Sequence, residues 1–225
     1  AVRDLSMEER LAVCNMSIEG GARAGYINPD ETTYEFLCGR EFVPEGEAFE
    51  ERKAYWESVR SDPDAEYDDV VALDVDDLEP MVTWGITPGQ AVEITDPVPA
   101  PDACDDPETA RAAQEHTGVT PGETMAGYPI DVAFLGTCTN GRASDFREAA
   151  AVLDGREVHD DVRALAVPGS QTVKSTLETE GVDETFRAAG FEWREAGCSM
   201  CLAMNDDSLS GDERCASSSN RNYVG

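Results

Sequence analysis

The sequence predicts an α/β protein with a mainly parallel sheet, and three observations carry that prediction. Residues 131–135 form a short apolar run that stops at Gly136, as buried parallel strands do. Beyond it, strand-like and helix-like segments alternate at the lengths found in βα units. Hydrophobic residues make up 40% of the chain and alternate with dispersed acidic ones, which indicates a folded core rather than disorder.

The first 66 residues predict three helices. Ser6, followed three residues later by Glu9, has the form of a capping box, and apolar residues recur at helical spacing after it. We expect this first helix to lie within 4–25, where Gly25 can close it. A second, short helix is predicted around 33–37 and a third over 48–60.

The remaining elements follow from β-branched runs, helical periodicity and turn residues. A strand is predicted at 70–75, where valine and leucine are concentrated, and a surface loop rich in Pro and Asp over 96–107. Beyond residue 107 the prediction is helix 107–116, strand 131–135, helix 144–153, strand 162–167, helices 171–180 and 183–189, and an extended segment at 191–193.

The charge of the chain excludes two classes of partner. Seventeen Lys and Arg residues stand against forty-seven Asp and Glu, which gives a net charge of −30. Such a surface repels nucleic-acid phosphates and anionic lipid headgroups. Only two basic residues are lysines, Lys53 and Lys174, and this composition suits a protein kept soluble in concentrated salt, where repulsion is screened. We therefore expect a cytoplasmic protein of a high-salt cell that binds neither nucleic acid nor membrane.

Three of the seven cysteines have distinctive neighbours in the sequence. Cys138 follows the 131–135 strand between glycines, at the kind of strand end where α/β proteins bind ligands. Cys198 and Cys201 form a Cys-x-x-Cys turn after another extended segment. That turn taken alone is compatible with redox, zinc and iron–sulfur sites.

The third cysteine changes the balance between these sites. A closed zinc site needs four ligands, and the two histidines, His116 and His159, fall among polar and acidic residues typical of a surface. Three thiolates without a fourth partner favour an iron–sulfur cubane with one iron left open. An open iron is a Lewis acid, which can bind a hydroxyl and a carboxylate and make hydroxide a better leaving group.

Three motifs are specific enough to compare with known families. They are Gly136-Thr137-Cys138-Thr139-Asn140, Gly197-Cys198-Ser199-Met200-Cys201-Leu202-Ala203-Met204-Asn205 and Ser219-Asn220-Arg221-Asn222-Tyr223. Together they resemble the aconitase superfamily, and the resemblance covers essentially all 225 residues. Five further segments fit the isopropylmalate dehydratase family better than aconitase itself: residues 3–8, 14–19, 29–33, 82–85 and 190–194. The resemblance implies aconitase-like three-layer α/β/α domains with a mainly parallel sheet. Residues 1–66 would end a middle domain, and 67–225 would form an iron–sulfur cluster domain that is incomplete at its C-terminus.

The resemblance also implies a cofactor and a reaction. A [4Fe–4S] cluster held by Cys138, Cys198 and Cys201 would serve a hydro-lyase of leucine biosynthesis. Its reaction would convert 2-isopropylmalate to 3-isopropylmalate through 2-isopropylmaleate. Homoaconitate hydratase and aconitase are the rivals within the superfamily. From other classes, the alternatives are an electron-transfer protein, with Cys215 as a fourth ligand, and a zinc-stabilised binding module.

Five polar residues are candidates for the substrate shell, and three of them match residues of the family. Arg221 matches an arginine that binds a substrate carboxylate, for which a planar guanidinium is suited. Asn220 and Asn140 are expected to hydrogen-bond substrate or cluster sulfur. Asn15 and Glu19 match an Asn-Met-x-x-Glu motif that lines the cluster site, and their i, i+4 spacing on the first helix should put them on one face. Without the resemblance, that pair would be an ordinary polar helix face.

The family divides its machinery between two subunits. Its proton-abstracting serine belongs to a small subunit, so the resemblance implies a small-subunit partner and a small dicarboxylate substrate. Nothing here matches the family's preceding Asp–His and Ser–His motifs, and the second carboxylate-binding arginine would follow Gly225. We therefore expect the 225 residues to be an internal fragment that is inactive alone. Turnover by the isolated chain with a reconstituted cluster would contradict this.

Overall fold

The computed structural model describes residues 2–76, 78–203 and 206–220. The chain forms two compact units, Ala1–Leu78 and Glu79–Gly225. The division after residue 66 that the family resemblance suggests stays a prediction. Among the described helices, none is long and apolar enough to cross a bilayer.

The first unit is helical, as the sequence predicts. Its α-helices are α1 (Met7–Met16), α2 (Glu31–Leu37) and α3 (Glu47–Ser58). The capping box of α1 is confirmed, because the Glu9 amide donates to Ser6 Oγ over 3.3 Å and the Ser6 amide donates to Glu9 Oε2 over 2.7 Å. Helices α2 and α3 pack through Tyr34 and Trp56, whose rings stack with centroids 6.3 Å apart.

Helix α1 is shorter than predicted. It ends at Met16 instead of continuing toward Gly25, and residues 17–21 form successive turns. The Ser17 hydroxyl donates to Cys14 O over 2.7 Å, and two glycines, of which Gly21 has φ +86°, follow, so the helix has poor propensity there. Gly25 does not cap the helix; it lies against it, and a Cβ there would overlap the Cys14 backbone.

The early end of α1 corrects one prediction about the site. Asn15 lies in the last turn of the helix, whereas Glu19 lies beyond it in the turns. The Glu19 amide donates to Met16 O, three residues back, so the backbone has left the α-helical pattern. The expected shared helix face of Asn15 and Glu19 is therefore wrong, although both side chains are half-buried.

A buried arginine organises the first unit. Arg10 is 2% exposed, and its Nη1 donates to Asp30 Oδ1 over 2.6 Å. The same guanidinium donates from Nε to Leu5 O and from Nη2 to Arg3 O. This side chain ties α1 both to the segment before it and to the residue that precedes α2.

The predicted strand at 70–75 does not form. The segment is irregular, and Val70, Val71 and Leu73 are each more than 70% exposed, at 73%, 78% and 75%. Strand propensity alone does not hold an extended segment in place, since a strand needs a hydrogen-bonded neighbour. In the ranges that the structure describes, no strand pairs with this segment.

The second unit begins with a small antiparallel ladder that the sequence did not predict. Strands β1 (Met81–Thr83) and β2 (Ala91–Glu93) are three residues each, too short for a clear alternation of polar and apolar residues. The predicted loop at 96–107 is mainly irregular, with one 3₁₀ turn at Pro101–Ala103. Helix α4 (Pro107–Thr117) follows, started by Asp106, whose carboxylate accepts two backbone hydrogen bonds.

A four-stranded parallel sheet forms the body of the second unit, which confirms the predicted fold class. Its order is β5–β4–β3–β6, with β3 in the middle beside β4. Its strands are β3 (Val132–Gly136), β4 (Arg163–Val167), β5 (Glu192–Trp193) and β6 (Cys215–Ser217). The connecting helices are α5 (Thr137–Asn140), α6 (Ala143–Leu153), α7 (Gln171–Glu180) and α8 (Val182–Ala188). Only β6 was missed.

The two faces of this sheet have different coverings. On one face, Phe146 of α6, Leu177 of α7 and Phe186 of α8 pack around Ala166. Alternate residues of the same strands point the other way, because side chains alternate along a strand. On that second face, Phe134, Leu165 and Val167 pack with Cys201. Cys201, one of the three candidate metal ligands, therefore packs directly on the sheet.

Candidate metal centre

Cys138 is presented at the carboxyl end of β3. Gly136 there has φ +137°, and a Cβ would overlap the carbonyl oxygen of Val167 on the neighbouring strand, so only glycine fits. Thr137 follows with φ +72° and is 2% exposed. The chain then enters the short helix α5, where the Cys138 side chain is exposed.

The cysteine loops carry unusual backbone conformations. Three described residues other than glycine have positive φ: Thr137 at 72°, Ser199 at 45° and Ala203 at 48°. Each lies within two residues of a candidate ligand. A β-branched residue such as Thr137 adopts this conformation only when its surroundings enforce it. Backbone strain of this kind is concentrated at functional sites.

Cys198 and Cys201 occupy one tight turn beyond β5. The Cys201 amide donates to Cys198 O over 2.9 Å, and Ser199–Cys201 form a 3₁₀ turn. The Arg194 amide donates to Ala166 O, which extends the pairing of β5 toward this turn. Cys198 is exposed, whereas Cys201 is 8% exposed because it packs on the sheet.

A segment after β6 connects the two cysteine loops. The Gly136 amide donates to Ser218 Oγ over 3.0 Å, and Asn140 Nδ2 donates to Ser218 O. The next residue, Ser219, donates from Oγ to Cys201 Sγ over 3.3 Å. The ends of β3, β5 and β6 are thus joined by hydrogen bonds around the three candidate cysteines.

The loop after β4 completes this edge of the sheet. The Gly169 amide donates to Gly141 O over 2.8 Å, which holds the loop after β4 against the Cys138 loop. A Cβ at Gly141 would overlap Thr137 O and lie 2.9 Å from Gly169 N. Both glycines are required by this close approach of two backbones.

The donor set fits an iron–sulfur cluster. Among the described residues, none of the three cysteines forms a disulfide, and the buried Thr137 hydroxyl beside Cys138 has no hydrogen-bond partner there. In the described part of the chain, no three Cys, His, Asp or Glu side chains stand close enough to hold one metal ion. A cluster does not require that, because each thiolate binds a different iron. Soft thiolate ligands are those that such clusters use.

The other polar residues of the predicted substrate shell lie in different parts of the chain, and the structure does not describe all of them. Asn140, in α5, binds the Ser218 carbonyl, and Asn220 is half-buried just beyond Ser219. Arg221 lies outside the described residues. Asn15 and Glu19 belong to the first unit, so their membership of the site stays a prediction.

The remaining cysteines and the histidines have other surroundings. Burial raises the pKa of the Cys215 thiol to about 11. In β6 it pairs with Val132, the first residue of β3, whereas Cys138 follows the last residue of that strand. His116 is exposed on α4, and His159 is exposed beside Asp161, with Nδ1 and Oδ2 3.7 Å apart.

Sequence reasoning missed three side chains that contact the ligand turn or its supports. Ser219 begins the recognised motif at 219–223 and Ser218 directly precedes it, so their position could have drawn attention to them. Asp207, which accepts a hydrogen bond from Ser199 within the Cys-x-x-Cys turn, carries no sequence signal, because one aspartate among forty-seven acidic residues is inconspicuous.

A comparison with protein families matches all of residues 1–225 to the model described as Aconitase family (aconitate hydratase). The chain belongs to the aconitase family.

Similar proteins narrow the comparison within the aconitase family. The chain is 66% identical to the 3-isopropylmalate dehydratase large subunits of Natronomonas pharaonis and Haloferax volcanii, over all of this chain and 48% of each relative. It is 58% identical to the subunit of the same name from Salinibacter ruber, with the same coverage. The chain spans about half the length of the curated relatives it matches.

Proposed function

We propose that this chain provides the cluster-binding part of a 3-isopropylmalate dehydratase large subunit. The reaction would interconvert 2-isopropylmalate and 3-isopropylmalate through 2-isopropylmaleate, in leucine biosynthesis. The observation that carries the proposal is the hydrogen-bonded meeting of the Cys138 loop with the Cys198–Cys201 turn, in a chain similar throughout to subunits of that name.

Cys138, Cys198 and Cys201 would hold a [4Fe–4S] cluster. When bound, such a cluster supplies an open iron that acts as a Lewis acid toward the substrate's hydroxyl and carboxylate. The protein's contribution is to fix the three sulfurs. Cys201 is buried on the sheet and accepts a hydrogen bond from Ser219, which limits its movement. Hydrogen bonds to sulfur also stabilise negative charge on the ligand.

The substrate shell would be made of polar side chains from several segments. Arg221 would bind a substrate carboxylate through its two-pronged guanidinium. Asn220 and Asn140 would orient substrate or ligand sulfur, and Asn140 already holds the Ser218 carbonyl in place. Asn15 and Glu19 would contribute from the first unit, with Glu19 as a candidate for proton transfer.

A small-subunit partner belongs to the same proposal. The relatives' name, large subunit, implies a second polypeptide, and we propose that it supplies the proton-abstracting serine. The substrate is a small dicarboxylate, so the partner's and this chain's cationic groups must attract it against a net charge of −30. Screening by concentrated salt makes this capture possible.

The test is an activity comparison on the anaerobically purified protein with its small subunit. 2-Isopropylmalate, homocitrate and citrate are supplied side by side, and we expect turnover of 2-isopropylmalate to exceed the others. Cys201→Ser should abolish both cluster content and turnover, while the exposed Cys38→Ser changes neither. Preference for homocitrate or citrate would move the protein to another branch of the aconitase family. Zinc without iron and sulfide would refute the cluster.

A further inference from the structure

A buried carboxylate supports the Cys-x-x-Cys turn from outside the ligand set. The side chain of Asp207 is 11% exposed, although it follows the exposed Asp206. Its Oδ2 accepts a hydrogen bond from Ser199 Oγ over 2.8 Å. Ser199 lies between the two ligand cysteines of the turn and is itself 9% exposed.

The second oxygen of this carboxylate faces two cations. Asp207 Oδ1 lies 2.8 Å from Arg194 Nη2 and 3.1 Å from Arg163 Nη2. Arg163 is the first residue of β4, and Arg194 directly follows β5. Glu192 of β5 contacts both arginines, from 3.2 Å and 2.9 Å, so two carboxylates balance two guanidinium groups. A charge-balanced network of this kind can remain partly buried without an unpaired ion.

Ser199, which donates a hydrogen bond to this network, has an unusual backbone conformation. Ser199 has φ +45°, a conformation that few residues other than glycine adopt. Its carbonyl accepts from the amides of Leu202 and Ala203, so the turn closes around it. The hydrogen bond from the hydroxyl to Asp207 connects this residue, through Arg163 and Arg194, to strands β4 and β5.

We propose that Asp207 is a positioning residue that holds the Cys198–Cys201 turn in the geometry required for cluster binding. Arg163 and Arg194 orient the carboxylate, and Ser199 transmits its position to the turn. This inference rests on the proposed cluster function. Groups that orient metal ligands from behind usually change metal retention strongly when they are removed, by about 10- to 100-fold.

The experiment compares the variants Asp207→Asn and Asp206→Asn, each made in the full-length protein. Asp206→Asn removes the same charge from the adjacent, exposed position. Iron and sulfide are measured after anaerobic reconstitution, followed by the rate of iron loss to a chelator. We expect Asp207→Asn to lose iron about 10- to 100-fold faster than the control. Ser199→Ala, which leaves the arginine–aspartate contacts in place, should share most of this effect.

A second measurement separates positioning from general destabilisation. In the metal-free protein, alkylation rates of Cys201, Cys215 and Cys138 are followed by mass spectrometry. Asp207→Asn should expose the buried Cys201 and raise its rate, while half-buried Cys215 in β6 and exposed Cys138 keep theirs. A parallel rise at Cys215 would show that the whole sheet has loosened, and would overturn the positioning role.

The outcomes distinguish this inference from the function on which it rests. If the unmodified protein binds no iron–sulfur cluster, both fail. If it binds one, and Asp207→Asn and Ser199→Ala retain iron like Asp206→Asn, the positioning role alone is wrong. If Asp207→Asn does not fold, Ser199→Ala decides the matter with the same two measurements.

Discussion

Cys201 and Cys215 are both free thiols on the same face of one sheet, yet their surroundings suit opposite uses. Cys201 receives a hydrogen bond from Ser219 and lies in a turn whose other cysteine is exposed. Cys215 is surrounded by apolar side chains, which raise its thiol pKa to about 11 and keep it neutral. A neutral thiol is a poor metal ligand.

Cys215→Ser is therefore expected to leave the cluster unchanged. Iron and sulfide content and the reduction potential should match those of the unmodified protein, since Cys215 lies at the opposite end of the sheet from Cys138. Elemental analysis and a potentiometric titration provide the check, with Cys198→Ser as the variant that loses the cluster. A changed cluster type in Cys215→Ser would revive the electron-transfer alternative.

At the scale of residues, the sequence singled out the candidate ligands but not the side chains that contact them. Cys138, Cys198 and Cys201 could be chosen because their spacing and glycine flanks are distinctive. The link from Ser219 to Cys201 depends on how β6 aligns with β3, which no local pattern reveals. The predicted shared helix face of Asn15 and Glu19 was wrong because α1 ends early. It ends at Met16, where the Ser17 hydroxyl bonds back to Cys14 O and two glycines follow.

At the scale of elements, the loops after β3 and β4 touch through two glycines. Gly141→Ala should displace the Cys138 loop, because its Cβ would overlap Thr137 O. We expect about 1–3 kcal/mol of destabilisation, typical of overpacking, and a lower cluster content. Thermal unfolding and iron analysis measure the two effects.

Gly197→Ala is the matched control for that substitution. Gly197 adjoins Cys198, but a Cβ there meets no atom of the described residues within 4 Å, and its φ is not positive. Its stability and iron content should stay close to those of the unmodified protein. Equal losses in both variants would show that any glycine substitution near a ligand disturbs the site, and would refute the role of the Gly141–Gly169 contact.

In the first unit, the ion pair between Arg10 and Asp30 joins α1 to the residue that precedes α2. Asp30→Asn should destabilise this unit by about 1–2 kcal/mol, because a charged hydrogen bond to a buried guanidinium is weakened. Hydrogen exchange of amides in α1 and α2 reports the loss. Glu31→Gln, which breaks an exposed ion pair with Lys53, should have little effect.

The ion pair between Arg10 and Asp30 should also make the stability of the first unit depend on pH. The hydrogen bond from Arg10 holds the pKa of Asp30 below its ordinary value of 3.8. Since the folded pKa is the lower one, the stabilisation is complete above pH 3.8 and is lost as pH falls through the folded pKa. The difference between the unmodified protein and Asp30→Asn should accordingly disappear in acid. A difference that persists there would mean that the carboxylate charge is not responsible.

Element prediction succeeded where periodicity and capping agree and failed where pairing decides. Helix α7 was predicted with its observed bounds, Gln171–Glu180, and in the structure Ser170 caps it and Gly181 closes it. The apolar segment at 70–75 has strand composition but no partner in the described structure, so it is irregular. Strand β6 has weak strand composition, and it forms because β3 offers an edge.

At the scale of the whole molecule, a net charge of −30 opposes folding through self-repulsion. Raising KCl from about 0.1 M to about 1 M shortens the Debye length from ~10 Å to ~3 Å. We expect the midpoint of thermal unfolding and the enzymatic rate to rise over this range. Sucrose at matched osmolarity is the control for solvent exclusion. An activity optimum near 0.1 M would contradict adaptation to salt.

The hydrogen bonds that join the cysteine loops span long distances along the chain. Gly136 and Ser218 are 82 residues apart, and Asn140 and Ser218 are 78 apart. At translation rates of roughly 5–20 residues per second, Cys138 is synthesised roughly 4–16 s before the residue that fixes its loop. During that interval its thiol is unprotected and its partners do not exist. The proposed cluster would find its complete site only after β6 has paired with β3, so its insertion would report that the sheet is complete.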